Sequence, residues 1–382
     1  MIFLTYSVSA NLNGTLVFIN MKIVLIIPNT IENAPYIEYY TDIFKKYGKI
    51  EYSFITWNRE LKPEKKTLPD YIYEFNLVSP VNISKVKKTY HFWLFKNYAI
   101  KILNTLEIDL IIVFTLQNAF FLSNYLKKYS NKYIFDIRDY TPFYPLMKRL
   151  VSNLIKQSAI TVISSLGYKN WLPRGHEYLL SHNVKKELII NAINRKIKTT
   201  TFKKSKPIKI LTIGQIRDYS SNSKLIISLQ NKSNVELSFV GDGSEVESLK
   251  RISAKSNNVT FSGRYLKSEE PFIVENHDLL NILLPDSIAH NTPMSNRFYL
   301  SLMFRKPMIV NIESFQTHYV SKYNIGIIVR NEDDLFLKIN EFQKSFSEVD
   351  YLNNCRRLLV ILKKDIDKFE EEIQNILFRY FQ

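Results

Sequence analysis

The sequence predicts two α/β domains, each built on a parallel β-sheet, and three observations lead to this prediction. Short apolar runs of strand length alternate with helix-length segments through almost the whole chain. The alternation stops at a basic, polar stretch, residues 187–207, and then starts again. The chain has 382 residues, which suits two domains that each bury a core of their own.

Composition and charge restrict the class of protein. The chain is 46% hydrophobic and 23% charged, as a folded globular protein is, and it has no apolar stretch long enough for a membrane-spanning helix. Its single cysteine, Cys355, excludes an intramolecular disulfide and fits a reducing compartment. The net charge of +16 is concentrated in residues 1–200, which carry +13, whereas residues 201–382 carry +3. This asymmetry predicts an anionic partner, which could be nucleic acid, an anionic membrane or a phosphorylated acceptor.

The first domain is predicted at residues 21–186. Residues 1–20 are expected to be an extension before a natural start at Met21, and the alternative is an additional edge strand at 15–19. Strands are predicted at 23–27, 50–57, 109–114, 132–136 and 159–164, and helices at 31–47, 84–105, 118–128 and 144–157.

Two of these helices are basic and contain no acidic residue. In 84–105, lysines alternate with aromatic and aliphatic residues at helical spacing, a pattern typical of helices that lie on a membrane surface. An ordinary amphipathic helix with a basic solvent face explains the pattern equally well. The candidate membrane or acceptor contacts in the two helices are Lys85, Lys87, Lys88, Lys148 and Arg149.

The strand at 132–136 leads directly into Arg138 and Asp139. Charged residues at the carboxyl end of a parallel strand lie on the ligand-binding edge of the sheet. Asp139 is therefore a candidate site residue, and the alternative is an internal ion pair between Arg138 and Asp139.

The second domain is predicted at 208–345, with helices at 346–382. Its strands are predicted at 208–213, 235–240, 258–261, 279–284 and 308–310. Gly214 and Arg217 follow the first strand, where glycine permits close approach of a ligand and arginine can bind a diphosphate. Gly241 begins a Gly-Asp-Gly turn that is too short to be a dinucleotide fingerprint, and a tight turn near the ligand cleft is the better interpretation.

A polar loop, residues 286–295, joins the strand at 279–284 to a helix that begins at Asn296. The start of a helix has unpaired N–H groups, which favour phosphate or hydroxyl ligands. The candidate ligand-binding residues of this segment are Asp286, Ser287, Asn296, Arg297 and Phe298.

Several kinds of site are not indicated by the sequence. The six histidines do not have metal-ligand spacing, and Walker, CxxC and HExxH motifs and a Ser/His/Asp order are absent. No helix-turn-helix or RNA-binding motif accompanies the positive charge. We therefore expect no metal, no cofactor and no nucleic-acid partner.

A set of motifs, in this order, resembles GT-B glycosyltransferases, in particular the retaining family-4-type enzymes of bacterial capsule and surface-polysaccharide synthesis. The motifs are MKIVLIIPN, FDIRDY, HN, ILTIGQIR, LSFVGDGSEVESLK, NVTFSG, PMSNRFY, RKPMIV and YNIGIIV. The resemblance implies two Rossmann-like domains that face each other across a cleft. The N-terminal domain would bind the acceptor, and the C-terminal domain would bind a nucleotide-diphosphate sugar.

The resemblance also implies roles for particular residues. Gly214 and Arg217 would line the diphosphate, Asn296 and Arg297 the nucleotide or the sugar, and Asp139 the acceptor cleft. The expected reaction is the transfer of a hexose to a polyprenyl-diphosphate-linked oligosaccharide. The enzyme would act in the cytoplasm, bound peripherally to the inner face of the cell membrane.

The sequence departs from the family pattern in the helix that begins at Asn296. Members of the family usually have an acidic residue there that binds the ribose hydroxyls, and this chain has Leu300. Between Asp286 and Glu313 there is no acidic residue, and Arg305 replaces the usual glycine before Lys-Pro. This departure favours a non-catalytic GT-B-like partner subunit as an alternative. A nucleotide-sugar epimerase of the same fold is a further alternative, although the sequence shows no clear set of acidic and histidine residues for the second domain's cleft.

Overall fold

The computed structural model describes residues 21–46, 50–60, 71–80, 83–195, 207–330 and 333–379. The chain divides into two compact units. The first comprises Met1–Ile137, Leu146–Thr161 and Glu370–Gln382, and the second comprises Arg138–Pro145 and Val162–Phe369. The predicted extension at 1–20 lies outside the described residues.

The first sheet has seven strands in the order β3-β2-β1-β4-β5-β6-β7, and its resolved pairings are parallel. Of the strands formed at the predicted apolar runs, β1, β4, β5 and β6 are almost completely buried, because a parallel sheet is covered on both faces, whereas the first half of β2 is only partly buried. The strands are β1 (Met21–Ile26), β2 (Ile50–Asn58), β3 (Ile72–Asn76), β4 (Leu110–Phe114), β5 (Tyr133–Ile137), β6 (Ile160–Ile163) and β7 (Leu179–Leu180).

The second sheet has six strands in the order β10-β9-β8-β11-β12-β13, also paired in parallel. Apolar clusters cover both of its faces, which confirms the restart of the α/β pattern after the basic stretch. The strands are β8 (Ile208–Gln215), β9 (Val235–Asp242), β10 (Val259–Gly263), β11 (Leu279–Asn281), β12 (Met308–Asn311) and β13 (Gly326–Val329).

Helices connect the strands in both sheets. Those of the first half are α1 (Glu38–Lys46), α2 (Lys85–Leu103), α3 (Leu116–Leu126), α4 (Tyr144–Gln157) and α5 (Lys186–Asn194). Those of the second half are α6 (Tyr219–Leu229), α7 (Val246–Ile252), α8 (Glu270–Glu275), α9 (Ile288–Asn291), α10 (Asn296–Met303), α11 (Gln316–Tyr323), α12 (Leu335–Ser345) and α13 (Glu348–Arg379).

The strand order places a topological switch point in each sheet. The chain adds strands on one side of the first strand and then on its other side. The strand order therefore reverses between β1 and β4 in the first sheet, and between β8 and β11 in the second. In open α/β sheets, ligands bind outside the carboxyl ends of the strands at such points. The turn after β8 and the loop after β11 are therefore the segments of the second unit best placed to bind a ligand.

Two segments differ from the sequence-based expectation. The predicted linker at 187–207 begins inside helix α5, and residues 196–206 lie outside the described residues. Strand β3 was not predicted; it is a short edge strand whose residues are only partly buried, so no apolar run marks it in the sequence.

Glycines bring the carboxyl ends of β8 and β9 into close contact. Gly214 and Gly241 are register partners, and both have positive φ angles, of 96° and 141°. A Cβ atom added to Gly241 would lie 1.9 Å from the Gly214 carbonyl oxygen, whereas one added to Gly214 would meet no atom within 4 Å. Gly241 is thus required for strand packing, and Gly214 leaves open space beside the end of β8.

We expect Gly241→Ala to lower the free energy of unfolding by about 3 kcal/mol, through both backbone strain and steric overlap. Gly263→Ala is the matched control, because Gly263 also has a positive φ but has open space around it. It should cost only about 1 kcal/mol. Urea unfolding curves of both variants provide the comparison, and equal losses would contradict the steric explanation.

Candidate functional site

Arg297 connects the two strands at the switch point of the second sheet. Its Nε donates to the Ile213 carbonyl oxygen at 2.8 Å, and its two Nη atoms donate to the carbonyl oxygens of Gln215 at 3.1 Å and Asn281 at 3.4 Å. These carbonyls belong to the carboxyl ends of β8 and β11. Burial lowers the pKa of the guanidinium, and the nearby Asp218 carboxylate partly opposes that effect. Because a guanidinium has five N–H donors, some remain available to a ligand.

Gly214 is the last but one residue of β8, and Arg217 lies in the turn that follows this strand. The Arg217 side chain is 59% exposed, and its Nη1 donates to Gln215 Oε1 at 3.3 Å. Its Nε lies 4.0 Å from the nearer carboxylate oxygen of Asp218, so it makes no close ion pair there. Arg217 is therefore an accessible cation beside the half-buried guanidinium of Arg297.

The structure adds Asp218 and His290, which were not predicted from the sequence. The Asp218 side chain is only 11% exposed, and its Oδ1 lies 3.6 Å from His290 Nε2. His290 Nδ1 lies 2.8 Å from Ser287 Oγ, which connects the predicted Ser287 to this group. Asp218 occupies the N-cap position of α6, yet its side chain makes no capping hydrogen bond. The absence of that bond is the only local signal that the carboxylate could serve a ligand.

The remaining candidates of this segment have different environments. Asp286 Oδ1 accepts a hydrogen bond from Asn291 Nδ2 at 2.5 Å, so it orders the loop. Asn296 is exposed in the first turn of α10, whose N-cap Ser295 accepts from the Arg297 backbone N–H. Phe298 was predicted to contact the ligand, but its side chain is completely buried in the core against Tyr299 and Tyr319. Its role is therefore in packing α10.

Leu300 and Arg305, the two departures from the family pattern, are both buried. Leu300 is 7% exposed and packs in an apolar cluster between α10 and the second sheet. Arg305 is 4% exposed, has a φ of 53° and donates to the carbonyl oxygens of Leu302 and Ala192. Arg305 thus tethers the end of α10 to helix α5, and neither residue provides a carboxylate to a ligand.

Asp139 follows β5, where it was predicted, and desolvation by the surrounding atoms raises the pKa of its carboxyl. Arg138 and Arg217 partly oppose this rise. The predicted internal ion pair is not what holds Arg138, whose guanidinium donates to the Ser181 carbonyl oxygen and to Asn183 Oδ1. Asp139 is itself exposed.

Helix α2 combines basic and aromatic residues on its exposed side. Its buried residues include Phe92, Phe95, Ala99 and Leu103, which recur at helical spacing on one side of the helix. On the other side, Val86, Tyr90 and Trp93 are 81%, 55% and 45% exposed. Lys85 and Lys87 are exposed and Lys88 is half-buried on the same helix, while Lys148 and Arg149 are exposed on α4 together with Leu146.

A cavity of about 620 Å³ lies between β9, β10 and α8 in the second unit. Its lining includes Ser238, Val240, Arg264, Tyr265, Phe272 and His277. Arg264 donates from Nε to Asp242 Oδ2 at 2.8 Å, at the carboxyl end of β9. The cavity therefore has both aromatic and charged walls.

A metal-binding group and a membrane-spanning helix are both absent from the described part of the chain. There is no group of three or more histidine, cysteine or acidic residues that could hold a metal ion. No helix there is both long and apolar enough to cross a membrane.

The fold is that of GT-B proteins, with two Rossmann-like parallel sheets, as the comparison with solved structures shows. Sucrose-phosphate synthase from Thermosynechococcus elongatus superposes with a TM-score of 0.67 at 11% identity, covering 94% of this chain and 99% of that one. The lipopolysaccharide outer core galactosyltransferase WaaB gives 0.57 at 14% identity, covering 94% and 100%. UDP-GlcNAc 2-epimerase from Neisseria meningitidis, bound to UDP-GlcNAc, gives 0.58 at 14% identity, covering 94% and 100%.

No family model and no curated protein matches the sequence. The likeness to glycosyltransferases is therefore a likeness of fold, and a function can be inferred only from the residues of the site.

We expect Asp139→Asn to stabilise the protein at neutral pH. Because the pKa of Asp139 is raised in the folded state, its ionised form opposes folding above that pKa. At low pH the carboxyl is protonated in both the folded and the unfolded state, and the effect disappears. The advantage of the variant in urea unfolding should therefore shrink as the pH falls from 7 toward about 4. An advantage that stays constant over this range would contradict the assignment.

Proposed function

We propose that this protein is a glycosyltransferase that transfers a sugar from a nucleotide-diphosphate sugar. The observation that carries the proposal is the position of Arg297, which brings a guanidinium to the switch point of the second sheet beside the accessible cation of Arg217. Two cations at this edge suit a diphosphate, since arginine binds phosphate oxygens through paired N–H groups.

The chemistry of sugar transfer is compatible with these residues. When the bond from the sugar to the diphosphate breaks, negative charge develops on the leaving diphosphate. Cations fixed in advance stabilise that charge more than they stabilise the bound donor, which lowers the barrier. Arg297 is fixed by three carbonyl oxygens, whereas Arg217 is exposed and can adjust to the ligand.

The cavity beside α8 supports a nucleotide as the carrier of the sugar. Its volume of about 620 Å³ is within the range of ligand-binding pockets, and Tyr265 offers an aromatic surface on which a base can stack. Tyr265 is close enough to Arg297 for the guanidinium to affect the pKa of its hydroxyl. We assign the base to this cavity and the diphosphate to the arginines.

We further propose that the acceptor is a polyprenyl-diphosphate-linked oligosaccharide in bacterial capsule or surface-polysaccharide synthesis, and that the transfer retains configuration. The exposed Val86, Tyr90 and Trp93, together with the lysines of α2, suit an anionic membrane surface. The protein would then act peripherally on the inner face of the cell membrane, with Asp139 in contact with the acceptor.

A nucleotide-sugar epimerase is the second candidate, because the structure groups an acidic residue and a histidine near the arginines. Asp218 and His290 lie together at the carboxyl ends of the strands, and proton transfer in an epimerase needs groups of this kind. The solved neighbour that is an epimerase binds UDP-GlcNAc. Incubating the protein with UDP-GlcNAc and identifying the sugar products distinguishes the two activities. A change of configuration without an acceptor would favour the epimerase.

The arginine variants test the donor site. Loss of a charge-assisted bond to phosphate costs about 1.5–3 kcal/mol, so Arg217→Ala should weaken UDP binding about 10- to 100-fold in calorimetry. Transfer should fall about 100-fold or more, because the same group stabilises the leaving diphosphate. Arg297→Lys keeps the charge but cannot make the three carbonyl bonds, and it should also lower transfer.

Arg251→Ala is the control, since Arg251 is exposed on α7. Circular dichroism of each variant checks that the fold survives. Failure of the unmodified protein to bind UDP, GDP or their sugars would favour a non-catalytic subunit, the alternative that Leu300 suggests.

The lysines of α2 test the membrane proposal. Each basic residue near an anionic leaflet contributes about 1 kcal/mol, so changing Lys85, Lys87 and Lys88 to Glu should reduce binding to phosphatidylglycerol vesicles about 100-fold or more. Lys127, Lys128 and Lys132 are exposed in the same unit, and their change to Glu alters the net charge equally. Flotation of the two triple variants should differ, and equal losses would refute a specific role for α2.

A further inference from the structure

Arg59 of the first unit is a shielded cation without a counter-charge. It follows directly after β2, at the carboxyl end of that strand. Its guanidinium carbon lies 4.1 Å from the ring centroid of Trp57 and 5.1 Å from that of Phe92. Among the described residues, no carboxylate forms an ion pair with it, and its buried Nε has no hydrogen-bond acceptor. Burial lowers the pKa of Arg59 to about 10.

The neighbours of Arg59 are also basic or polar. The Ser79 backbone N–H donates to the Arg59 carbonyl oxygen at 3.0 Å, and Ser79 Oγ lies 3.0 Å from His91 Nδ1. Burial, and then the charges of Lys87 and Arg59, lower the pKa of His91. Arg59 and Lys87 are thus both close enough to His91 to disfavour its protonation.

We propose that Arg59 binds a phosphate or diphosphate group of the acceptor, with Lys87 as a second cation. The aromatic rings of Trp57 and Phe92 exclude water from one side of the guanidinium, and a lower local dielectric strengthens its attraction for an anion. A bound phosphate would accept hydrogen bonds from the Nη groups, which are not buried as Nε is, and would balance the positive charge of Arg59 and Lys87. The site lies at the carboxyl-end edge of the first sheet, where α/β folds bind ligands.

This inference rests on the proposed function, because that function supplies the acceptor diphosphate. It differs from the donor site in its location, since Arg59 and Lys87 belong to the first unit and Arg217 and Arg297 to the second. It shares only Lys87 with the proposed membrane surface of α2. The exposed Val86, Tyr90 and Trp93 would contact lipid, whereas Arg59 lies against buried rings.

The proposal can be tested by NMR, which monitors the Nε–Hε resonance of Arg59 in full-length protein with ¹⁵N-labelled arginine. UDP is present at saturation, so that the donor-site arginines are occupied. Inorganic pyrophosphate, geranyl diphosphate and phosphatidylglycerol vesicles are then titrated in separate samples. The resonance is assigned by its loss in Arg59→Gln, and circular dichroism checks that this variant is folded.

We expect pyrophosphate and geranyl diphosphate to shift the resonance saturably. Arg59→Gln should weaken pyrophosphate binding, followed by calorimetry, about 10- to 100-fold, as expected for the loss of a charge-assisted bond. The control Arg251→Gln should leave the pyrophosphate affinity unchanged.

Three outcomes would overturn the proposal: no shift with either diphosphate, unchanged pyrophosphate affinity in Arg59→Gln, or a shift with vesicles alone, which would assign the cation to lipid headgroups. UDP calorimetry on the same protein separates this result from the donor-site proposal. A protein that binds UDP but not pyrophosphate at Arg59 would keep the proposed function and lose the acceptor site.

Discussion

The organisation of the second unit depends on one interaction, the guanidinium of Arg297 held by the backbone carbonyls of Ile213, Gln215 and Asn281. The switch point of an open α/β sheet is a ligand-binding crevice outside the carboxyl ends of its strands, and these three carbonyl oxygens lie at those ends. A cation from α10 satisfies these oxygens and is itself stabilised by them. The same bond network fixes the helix, the end of the sheet and a positive charge that faces the ligand edge.

This constraint explains why the surrounding residues are small or apolar. Gly241 permits β9 to approach β8 closely, and Leu300 and Phe298 pack α10 on opposite sides of the same helix. Leu300, which stands where the glycosyltransferases that the sequence resembles usually carry an acid, belongs to the apolar layer beneath the sheet. The nearest available carboxylate is that of Asp218, which comes from the turn after β8 and is linked through His290 to Ser287.

The fold was predictable from the sequence, whereas the site was predictable only in part. Buried parallel strands appear as apolar runs, so β1, β4, β5 and β8 are visible in the sequence, while the half-exposed edge strand β3 is not. The positions of Gly214, Arg217 and Arg297 at a strand end or a helix start were predictable because such positions have local signatures, and their binding roles stay predictions. Asp218 and His290 were missed because their contact joins segments distant in the sequence. Phe298 was misassigned because adjacent residues of a helix face in different directions.

Each unit has an arginine near the carboxyl ends of its strands, Arg297 in the second and Arg59 in the first, and the two differ in what compensates their charge. In the second, backbone carbonyls compensate Arg297, so its charge can be present before a ligand binds. In the first, aromatic rings surround Arg59 and provide only a weak cation–π interaction, so much of its charge remains uncompensated. A cation kept in this state costs stability, and proteins commonly accept such a cost at functional sites. The proposed transfer to a diphosphate-linked acceptor requires two anionic groups to be bound, and Arg297 and Arg59 would each have a distinct one as partner.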